Sequence, residues 1–314
     1  MASVAAAAAA SRCRSLLYCT HRLQGSPLSA LRQNVESIEK NHLSHQQSTR
    51  SFHSLHERGR RTKSTTTTKG APKTSDQQTY DSDLVVVLDL DECLVHSKFL
   101  TRQGQAYAHQ VPQQALSSSE ANSDSHMVDT FHIALPCGDL ARVHQRPHLQ
   151  DFLQEVSSKY ETHLFTAGKE VYAQSVLQHL DPNGSIFTNC LYRDDCTYDP
   201  MMKAYVKNLD MHFDDMQRTV LVDNNHLSFL NNPNNGILVS NFFDDPSDTT
   251  LLAVSEFLGE LEQEEDVRPL LQAHFGLSEF LERRQHHEMA KHRQKKQQDE
   301  ILESTEQLMI NVSV

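Results

Sequence analysis

The sequence has no stretch of about 18 or more apolar residues, the length that a membrane-spanning helix requires. Its most uniform apolar run, Ala5–Ala10, is too short and too weakly apolar to span a bilayer. We therefore expect no transmembrane helix. No internal repeat is visible either, and a length of 314 residues is compatible with one or two domains.

Paired metal-binding cysteines and histidines are also missing. None of the six cysteines belongs to a C-x-x-C pair, and the 19 histidines form no H-E-x-x-H pattern. We therefore predict free thiols in a reducing compartment, with neither a zinc site nor disulfides. The cysteines are Cys13, Cys19, Cys93, Cys137, Cys190 and Cys196.

Acidic residues are scarce at the amino-terminal end and abundant elsewhere. Residues 1–79 contain 12 Lys and Arg but only 4 Asp and Glu, a net charge of +8, and the remaining 17 basic and 37 acidic residues give −20. An acidic body argues against nucleic acid as the main substrate. Because hydrophobic residues make up only 38% and mean hydropathy is −0.56, we expect part of the chain to be disordered.

The first 79 residues have the composition of a leader followed by a linker. No acidic residue precedes Glu36, and arginines are interleaved with Ala, Ser and Leu, as in organelle transit peptides. We predict a disordered arm that directs the chain to mitochondria through the import machinery. A basic tail without a targeting role and a plastid transit peptide are alternatives. The cluster Arg58–Lys63 also fits a nuclear-import signal, which leaves a nuclear or cytoplasmic location open.

From residue 80 to about 275, strand patterns alternate with helix patterns. Such alternation predicts βαβ units around a parallel sheet in a single α/β domain. The predicted strands are Val85–Leu88, His163–Phe165, Thr219–Val222 and Ile237–Val239, and the predicted helices start near Leu149, Val171 and Asp248. A long charged helix from Ser278 to about Gln307 is predicted within the carboxyl-terminal segment 276–314.

Two features interrupt that alternation after the first strand. Residues 101–127 are polar and rich in Gln, Ser and Ala, and we interpret them as a loop insertion. Apolar residues then alternate with polar ones up to Leu135, the turn Pro136–Asp139 follows, and a second run covers Leu140–His144. This pattern predicts a β-hairpin.

The string VVVLDLDECLVHS over residues 85–97 is the most informative part of the chain. Its valine run favours a strand buried on both faces, as in a parallel sheet. Asp89 and Asp91 follow at the carboxyl end, where open α/β sheets bind their ligands. Two carboxylates so close repel each other unless a cation lies between them. The pattern indicates a nucleophile and an acid–base group around a metal ion.

The same string resembles the Asp-x-Asp signature of the HAD superfamily, and most closely the opening motif of the FCP/SCP-type phosphatases. This group includes the RNA polymerase II C-terminal-domain phosphatases and their NLI-interacting-factor-like and Dullard-like relatives. Strings that also resemble the family are LFTA (164–167), YRDDC (192–196) and YVKNL (205–209). The resemblance covers roughly residues 80–275 and implies a HAD-like Rossmannoid fold, with the hairpin as a flap over the active site.

The resemblance assigns catalytic and phosphate-binding roles. Asp89 is the nucleophile that forms an aspartyl-phosphate, and Asp91 is the general acid and then the general base. Thr166 binds a phosphoryl oxygen, and Lys207 offsets negative charge, with Lys203 as its nearest competitor. Arg193 contacts substrate phosphate, or else merely pairs with Asp194.

The resemblance also implies a metal site. Asp89, the backbone carbonyl of Asp91 and Asp223 are expected to bind Mg²⁺, with Asn224 supporting the ligand set. Hard oxygen ligands of this kind suit Mg²⁺.

Three departures from the family pattern accompany these matches. Cys93 replaces the usual Thr, Asn225-His226 replaces a common Ser-Pro, and the insertion at 101–127 is longer than expected. A thiol beside a metal and a phosphate site is expected to make the enzyme sensitive to oxidation.

The sequence thus predicts a Mg²⁺-dependent phosphatase that acts on phosphoserine or phosphothreonine in a protein substrate. The main alternative is a non-catalytic subunit of the Tim type, which carries a phosphatase-like domain in the mitochondrial inner membrane. That alternative shares the leader-like arm, but such subunits typically lack the catalytic aspartates that are present here. A HAD enzyme acting on small metabolites is a further alternative.

Overall fold

The structure is a computed structural model that describes Leu31, residues 80–100 and residues 127–312, the last seven of them by backbone alone. Apart from Leu31 and Met127, the predicted leader over 1–79 and the predicted insertion over 101–127 lie outside the described residues. None of the helices in the described ranges is long and apolar enough to cross a membrane.

The described residues form ten strands and five α-helices. In chain order the strands are β1 (Val85–Leu88), β2 (Val95–Phe99), β3 (Thr130–Ala134), β4 (Leu140–Gln145), β5 (Glu161–Phe165), β6 (Asn189–Leu191), β7 (Thr197–Asp199), β8 (Ala204–Val206), β9 (Thr219–Asp223) and β10 (Gly236–Leu238). The helices are α1 (Leu149–Lys159), α2 (Glu170–Leu180), α3 (Thr250–Leu261), α4 (Arg268–Phe275) and α5 (Leu277–Val312).

A five-stranded sheet in the order β10-β9-β1-β5-β6 forms the centre, and all its neighbours pair in parallel. Val86, Val87 and Leu88 of β1 are completely buried, as expected for a middle strand covered on both faces. The predicted α/β fold with a central parallel sheet is confirmed. Since β9, β1 and β5 are neighbours, the residues that follow them meet at one edge of the sheet.

The flap is a second, antiparallel sheet in the order β2-β4-β3. The predicted hairpin is confirmed as β3 and β4, and Gly138 adopts φ +89° in the turn between them, a backbone conformation that glycine tolerates best. The sequence did not predict β2, which adds a third strand. Because β2 begins four residues after Asp91, the flap is connected directly to the catalytic motif.

The helices lie close to their predicted positions, and each buries an apolar face. In α1 the buried residues are Leu149, Phe152, Leu153 and Val156, the helical spacing that predicted it. The final helix starts at Leu277, and its first turns bury Leu277, Phe280 and Leu281 in the common core. The domain boundary near residue 275 stays a prediction, but these contacts join the start of α5 to the domain.

The sequence analysis missed β6, β7, β8 and α4. Each of these strands has three residues, too few for an alternating pattern to be recognised. The antiparallel pair of β7 and β8 matters for the site, because Lys207 follows directly after β8.

Gly236 allows α5 to approach the sheet, and we predict that Gly236→Ala destabilises the protein. A Cβ at this position would lie 2.6 Å from Cδ1 of Phe229 and 2.8 Å from Cδ1 of Leu277. Overpacking of this kind costs about 1–3 kcal/mol, measurable by urea denaturation. Gly259→Ala is the control, because a Cβ there meets nothing within 4 Å and alanine favours a helix by about 0.5–1 kcal/mol. Equal stability of the two variants would contradict this account of the packing.

Candidate active site

The predicted site residues gather in a cleft of about 660 Å³ at the carboxyl edge of the central sheet. Asp89 follows β1, Thr166 follows β5, and Asp223 ends β9. Residues from all the predicted segments line this cleft, including Asp91, Arg193, Lys207 and Asn224. The structure therefore brings together side chains that lie up to 135 positions apart, counted from Asp89 to Asn224.

A tight turn after β1 orients the two aspartates of the motif. The N–H groups of Leu94 and Val95 both donate to the carbonyl of Leu90 at 3.0 Å. Glu92 within this turn has φ +57°, a left-handed conformation that is uncommon for residues other than glycine. The turn reverses the chain into β2 and leaves Asp89 and Asp91 at the cleft.

Lys207 forms the electrostatic centre of the site. Its Nζ donates to Oδ1 of Asp89 and, at 2.6 Å, to Oδ2 of Asp223. Only about 1% of the Lys207 side chain is exposed, whereas Lys203 is exposed in the turn before β8. The structure thus brings Lys207, and not its competitor Lys203, to the predicted nucleophile.

Burial and neighbouring charges act in opposite directions on this ion triad. Burial alone would lower the pKa of Lys207, but Asp223 and Asp89 outweigh it and raise that pKa. Lys207 is therefore charged. Burial, together with Asp223, raises the pKa of Asp89, and Lys207 opposes the rise. A further cation beside Asp89 would favour its ionised, nucleophilic form.

Asp91 is held by hydroxyl groups rather than by a cation. The hydroxyl of Tyr172 donates to its Oδ1, and Thr166 provides a second hydrogen bond. Burial is the largest cause of a pKa raised to about 6 for Asp91, and the hydrogen bonds from Tyr172 and Thr166 oppose it. The environments of the two aspartates differ, as a division into nucleophile and acid requires.

Thr166 and Gly168 shape the floor of the cleft next to Asp91. Oγ1 of Thr166 accepts the N–H of Gly168 at 2.9 Å, which leaves the hydroxyl proton for another acceptor. A Cβ at Gly168 would lie 3.1 Å from Oγ1 of Thr166 and 3.3 Å from Oδ2 of Asp91. The absence of a side chain at position 168 therefore keeps open the space beside both groups.

Arg193 lies at the cleft in a short 3₁₀ turn after β6. Its Nε donates to the carbonyl of Ala167 at 2.6 Å, and its guanidinium carbon lies 5.0 Å from the centre of the Tyr205 ring. Among the described residues no ion pair joins Arg193 to Asp194. These contacts favour the first of the two predicted roles, because the remaining guanidinium nitrogens can face a ligand.

The oxygen atoms near Asn224 fit a Mg²⁺ ion. The amide atom of Asn224 that faces the cleft lies 3.3 Å from Oδ2 of Asp89 and 3.1 Å from the carbonyl oxygen of Asp91. In the absence of a cation the nitrogen is better satisfied on this side, where it can donate to both oxygens. The opposite orientation, in which the nitrogen donates to Oδ1 of Asn241 at 2.8 Å, places the amide oxygen in the cleft, as a bound cation would require. Three oxygens then converge, and adjacent ligands of an octahedral Mg²⁺ lie about 3 Å apart.

Both carboxylate oxygens of Asp223 accept hydrogen bonds from protein groups. Its Oδ2 accepts Lys207, and its Oδ1 accepts the N–H of Asn225 at 2.7 Å. Within the described residues, no three His, Cys, Asp or Glu side chains have an arrangement that could hold a metal. Direct ligation by Asp223 stays a prediction, and so does the support of the ligand set by Asn224, whose amide lies beside Asp89 and Asp91.

The sequence analysis missed two polar residues of the site, Tyr172 and Ser97. Tyr172 lies in the helix predicted to start near Val171, and Ser97 ends the matched string, but neither hydroxyl was assigned a role. Neither position carries a local signal of the contact of Tyr172 with Asp91 or of Ser97 with Tyr172, because α2, β2 and the catalytic turn are brought together by the fold.

Arg146 supports the catalytic turn through buried hydrogen bonds. It is almost completely buried, and it donates to both oxygens of Asp248, to the carbonyl of Cys93 at 2.9 Å and to Oγ of Ser240 at 2.8 Å. The side chain therefore ties the turn after Asp91 to the residues after β10 and to the start of α3.

Cys93 itself is fully buried. Its Sγ lies 3.8 Å from the carbonyl of Val222, and burial raises its pKa. A buried, protonated thiol reacts poorly with oxidants, which argues against the expected sensitivity to oxidation.

Comparisons with known proteins agree with this geometry. A family model described as NLI interacting factor-like phosphatase matches residues 84–268. The CTD nuclear envelope phosphatase 1B of Danio rerio is 35% identical over 187 residues, which are 60% of this chain and 70% of that protein. The CTD small phosphatase-like protein of Homo sapiens is 32% identical over 186 residues, 59% of either chain.

Among solved structures, Fcp1, described as an essential RNA polymerase II CTD phosphatase, covers 61% of this chain and 52% of its own. The identity is 25% and the TM-score is 0.38, a score too low to carry an argument of its own.

One prediction is wrong in the light of these relatives. Proteins from Danio rerio and Xenopus tropicalis, 35% and 34% identical, are named for the nuclear envelope, which contradicts a mitochondrial location and fits the nuclear alternative. Contact with an import machinery and the Tim-type alternative find no support. The mitochondrial location and the contact with an import machinery were predicted from the basic, serine-rich arm alone, and that composition is not specific to transit peptides.

We predict that Arg146→Met lowers the free energy of unfolding by about 1–3 kcal/mol, because it leaves the carbonyl of Cys93 and the partly buried Asp248 without their donor. Lys98→Met is the matched control, since the pair of Lys98 and Asp244 is about half exposed on both sides and exposed pairs contribute little. Urea denaturation of both variants tests the difference. An Arg146→Met variant as stable as Lys98→Met would show that Arg146 is dispensable to the turn.

Proposed function

The chain belongs to the NLI interacting factor-like phosphatases, hydrolases that act on phosphoesters, and from this premise we propose its mechanism and substrate. It is a Mg²⁺-dependent phosphatase of phosphoserine or phosphothreonine in proteins, and it acts through an aspartyl-phosphate on Asp89. The observation that carries the proposal is the contact of buried Lys207 with Asp89, next to Asp91, in the lining of one cleft.

In the first step a carboxylate oxygen of Asp89 attacks phosphorus, and the bond from phosphorus to the leaving oxygen breaks. Asp91 gives its proton to that oxygen. In the second step Asp91 removes a proton from water, which attacks phosphorus and releases phosphate from Asp89. Covalent catalysis of this kind divides one difficult displacement into two easier ones.

Lys207, Thr166 and Arg193 bind the phosphoryl oxygens in this proposal. Lys207 is a fixed cation, because its Nζ donates to both Asp89 and Asp223. Preorganised charges of this kind stabilise a transition state without reorganising during the reaction. Thr166 supplies a hydroxyl, and Arg193 supplies a planar group that can contact phosphate through two nitrogens.

Asp89, the carbonyl of Asp91 and the amide oxygen of Asn224 would hold Mg²⁺. When bound, the ion would supply positive charge that offsets the negative charge of the nucleophile and of the phosphate. This charge would favour the ionised, nucleophilic form of Asp89, whereas burial favours the neutral form.

The cleft is lined by Arg193, Lys207 and other polar side chains, and its volume of about 660 Å³ has room for a phosphorylated side chain of a protein substrate. The names of the relatives describe CTD phosphatases and the nuclear envelope, and we place the activity of this chain in the nucleus on that ground.

We predict that Asp89→Asn lowers kcat on phosphoserine peptides by at least about a thousandfold, because it removes the nucleophile. The measurement is phosphate release from phosphoserine, phosphothreonine and phosphotyrosine peptides of one sequence in Mg²⁺ buffer. Asp299→Asn, at an exposed position of α5, is the control and keeps wild-type turnover. Activity that survives Asp89→Asn refutes the covalent mechanism, and turnover of sugar phosphates alone would show a metabolite phosphatase.

We predict that Asn224→Ala weakens Mg²⁺ binding by about tenfold or more, because one of three convergent oxygens is lost. Isothermal titration of the purified protein with MgCl₂ measures this directly, without substrate. Asn183→Ala, in the exposed turn after α2, is the control. Unchanged Mg²⁺ affinity in Asn224→Ala would assign the ligand role to Asp223 instead.

A further inference from the structure

A chain of hydrogen bonds runs from the flap to the predicted acid–base residue. Oγ of Ser97 lies 2.6 Å from the hydroxyl of Tyr172, and this hydroxyl donates to Oδ1 of Asp91. The three residues belong to three different elements, since Ser97 is in β2, Tyr172 is in α2, and Asp91 is in the turn after β1. The chain therefore joins the flap to the catalytic turn through a helix.

The donor in each of these two hydrogen bonds can be assigned. Tyr172 has a single hydroxyl proton, and a hydrogen bond to a carboxylate uses it for Asp91. The hydroxyl of Ser97 is then the donor to the oxygen of Tyr172. A phenolic hydroxyl has an ordinary pKa of about 10, so at neutral pH it keeps its proton as a donor.

We propose that Tyr172 is a positioning residue for Asp91, and that Ser97 links this function to the flap. The proposal rests on the proposed role of Asp91 as general acid. Tyr172 holds Oδ1, and the other oxygen, Oδ2, is left beside Thr166 and the open space at Gly168. The transferable proton of Asp91 is therefore carried on the oxygen that faces the cleft.

This arrangement solves a geometric problem of the site. A general acid must lie within hydrogen-bond reach of the leaving oxygen, and an aspartate with two rotatable side-chain bonds is not fixed by its backbone alone. Lys207 is occupied by Asp89 and Asp223, and no ion pair to Asp91 is present among the described residues. The hydroxyl of Tyr172 provides a fixed contact to Oδ1, beside the hydrogen bond from Thr166, and the ring of Tyr172 is itself packed near Gly168 and 6.0 Å from the ring of Phe99.

A simpler interpretation is that Tyr172 only packs between the helix and the flap. The two interpretations differ in what the hydroxyl does, because packing needs the ring alone. They also differ in their dependence on the leaving group. Protonation by Asp91 matters most for a strongly basic leaving oxygen, such as phenolate (pKa about 10), and matters little for 4-nitrophenolate, a much weaker base.

The test compares Tyr172→Phe with wild type, using the full chain and kcat/KM, which reports the step that expels the leaving group. We expect Tyr172→Phe to lower kcat/KM on phenyl phosphate by about thirtyfold, within the range that general acids contribute. On 4-nitrophenyl phosphate we expect a loss of less than about threefold, since the acid contributes little to that substrate.

Tyr160→Phe is a matched control. Tyr160 is also buried, and its hydroxyl donates to the carboxylate of Glu262 at 3.2 Å, but it precedes β5 and so lies at the opposite end of the sheet. Tyr160→Phe also removes one phenolic hydroxyl. We expect the ratio of kcat/KM on phenyl phosphate to kcat/KM on 4-nitrophenyl phosphate to stay at the wild-type value.

Ser97→Ala tests the link to the flap. We expect it to lower kcat/KM on phenyl phosphate several-fold and selectively, and to add nothing in the Tyr172→Phe background, because Ser97 acts through the hydroxyl that is then absent. Thermal unfolding of each variant separates this effect from a loss of folding.

The outcomes are distinguishable. Equal losses on both esters in Tyr172→Phe, or no loss, would overturn the positioning role while leaving the proposed function intact. Full additivity of Ser97→Ala and Tyr172→Phe would overturn the link to the flap. A wild-type protein without turnover of either ester would overturn the proposed function and this inference together.

Discussion

The structure depends on one buried cation, Lys207, between two buried carboxylates. Transfer of any one of these charges out of water is costly, and the triad is tolerated only because the groups satisfy one another. Removing Lys207 would leave Asp89 and Asp223 to repel each other without compensation. The contact requires β1, β8 and β9 at the same time, so the short hairpin of β7 and β8 is essential even though it adds little to the core.

Parallel pairing provides the rest of the arrangement. With β9, β1 and β5 side by side, the residues that follow them are brought within contact distance at one edge, and none needs a long loop to reach it. The antiparallel flap begins immediately after the catalytic turn, and Arg146 at the end of β4 returns to hold that turn through the carbonyl of Cys93. The flap and the nucleophile are thus parts of one continuous unit.

The sequence predicted those parts of the site that have a local signature. The valine run before Asp89 specifies a strand end, whereas Thr166 and Lys207 were recognised by the resemblance of their strings to the family. The sequence could not show that Asp223 contacts Lys207 while Asn224 lies beside Asp89 and Asp91, because side chains of consecutive residues leaving a strand point in different directions. Tyr172 and Ser97 were missed for a related reason, since a hydroxyl in a half-buried helix or strand gives no indication of its distant partner. The location failed because arginine and serine content describes many kinds of basic tail.

The first turns of α5 extend this reasoning beyond the residues that match the family model. Leu277, Phe280 and Leu281 belong to the common core, and Gly236 permits the close approach of Leu277. Nη1 of Arg284 lies 2.6 Å from Nε2 of His226, and His226 lines the catalytic cleft. The ring of Phe280 packs edge-on against the same imidazole at 5.4 Å. Because one wall of the cleft is held by residues of α5, the described catalytic unit includes the beginning of this helix, and a boundary drawn at the end of the family match would remove the support of His226.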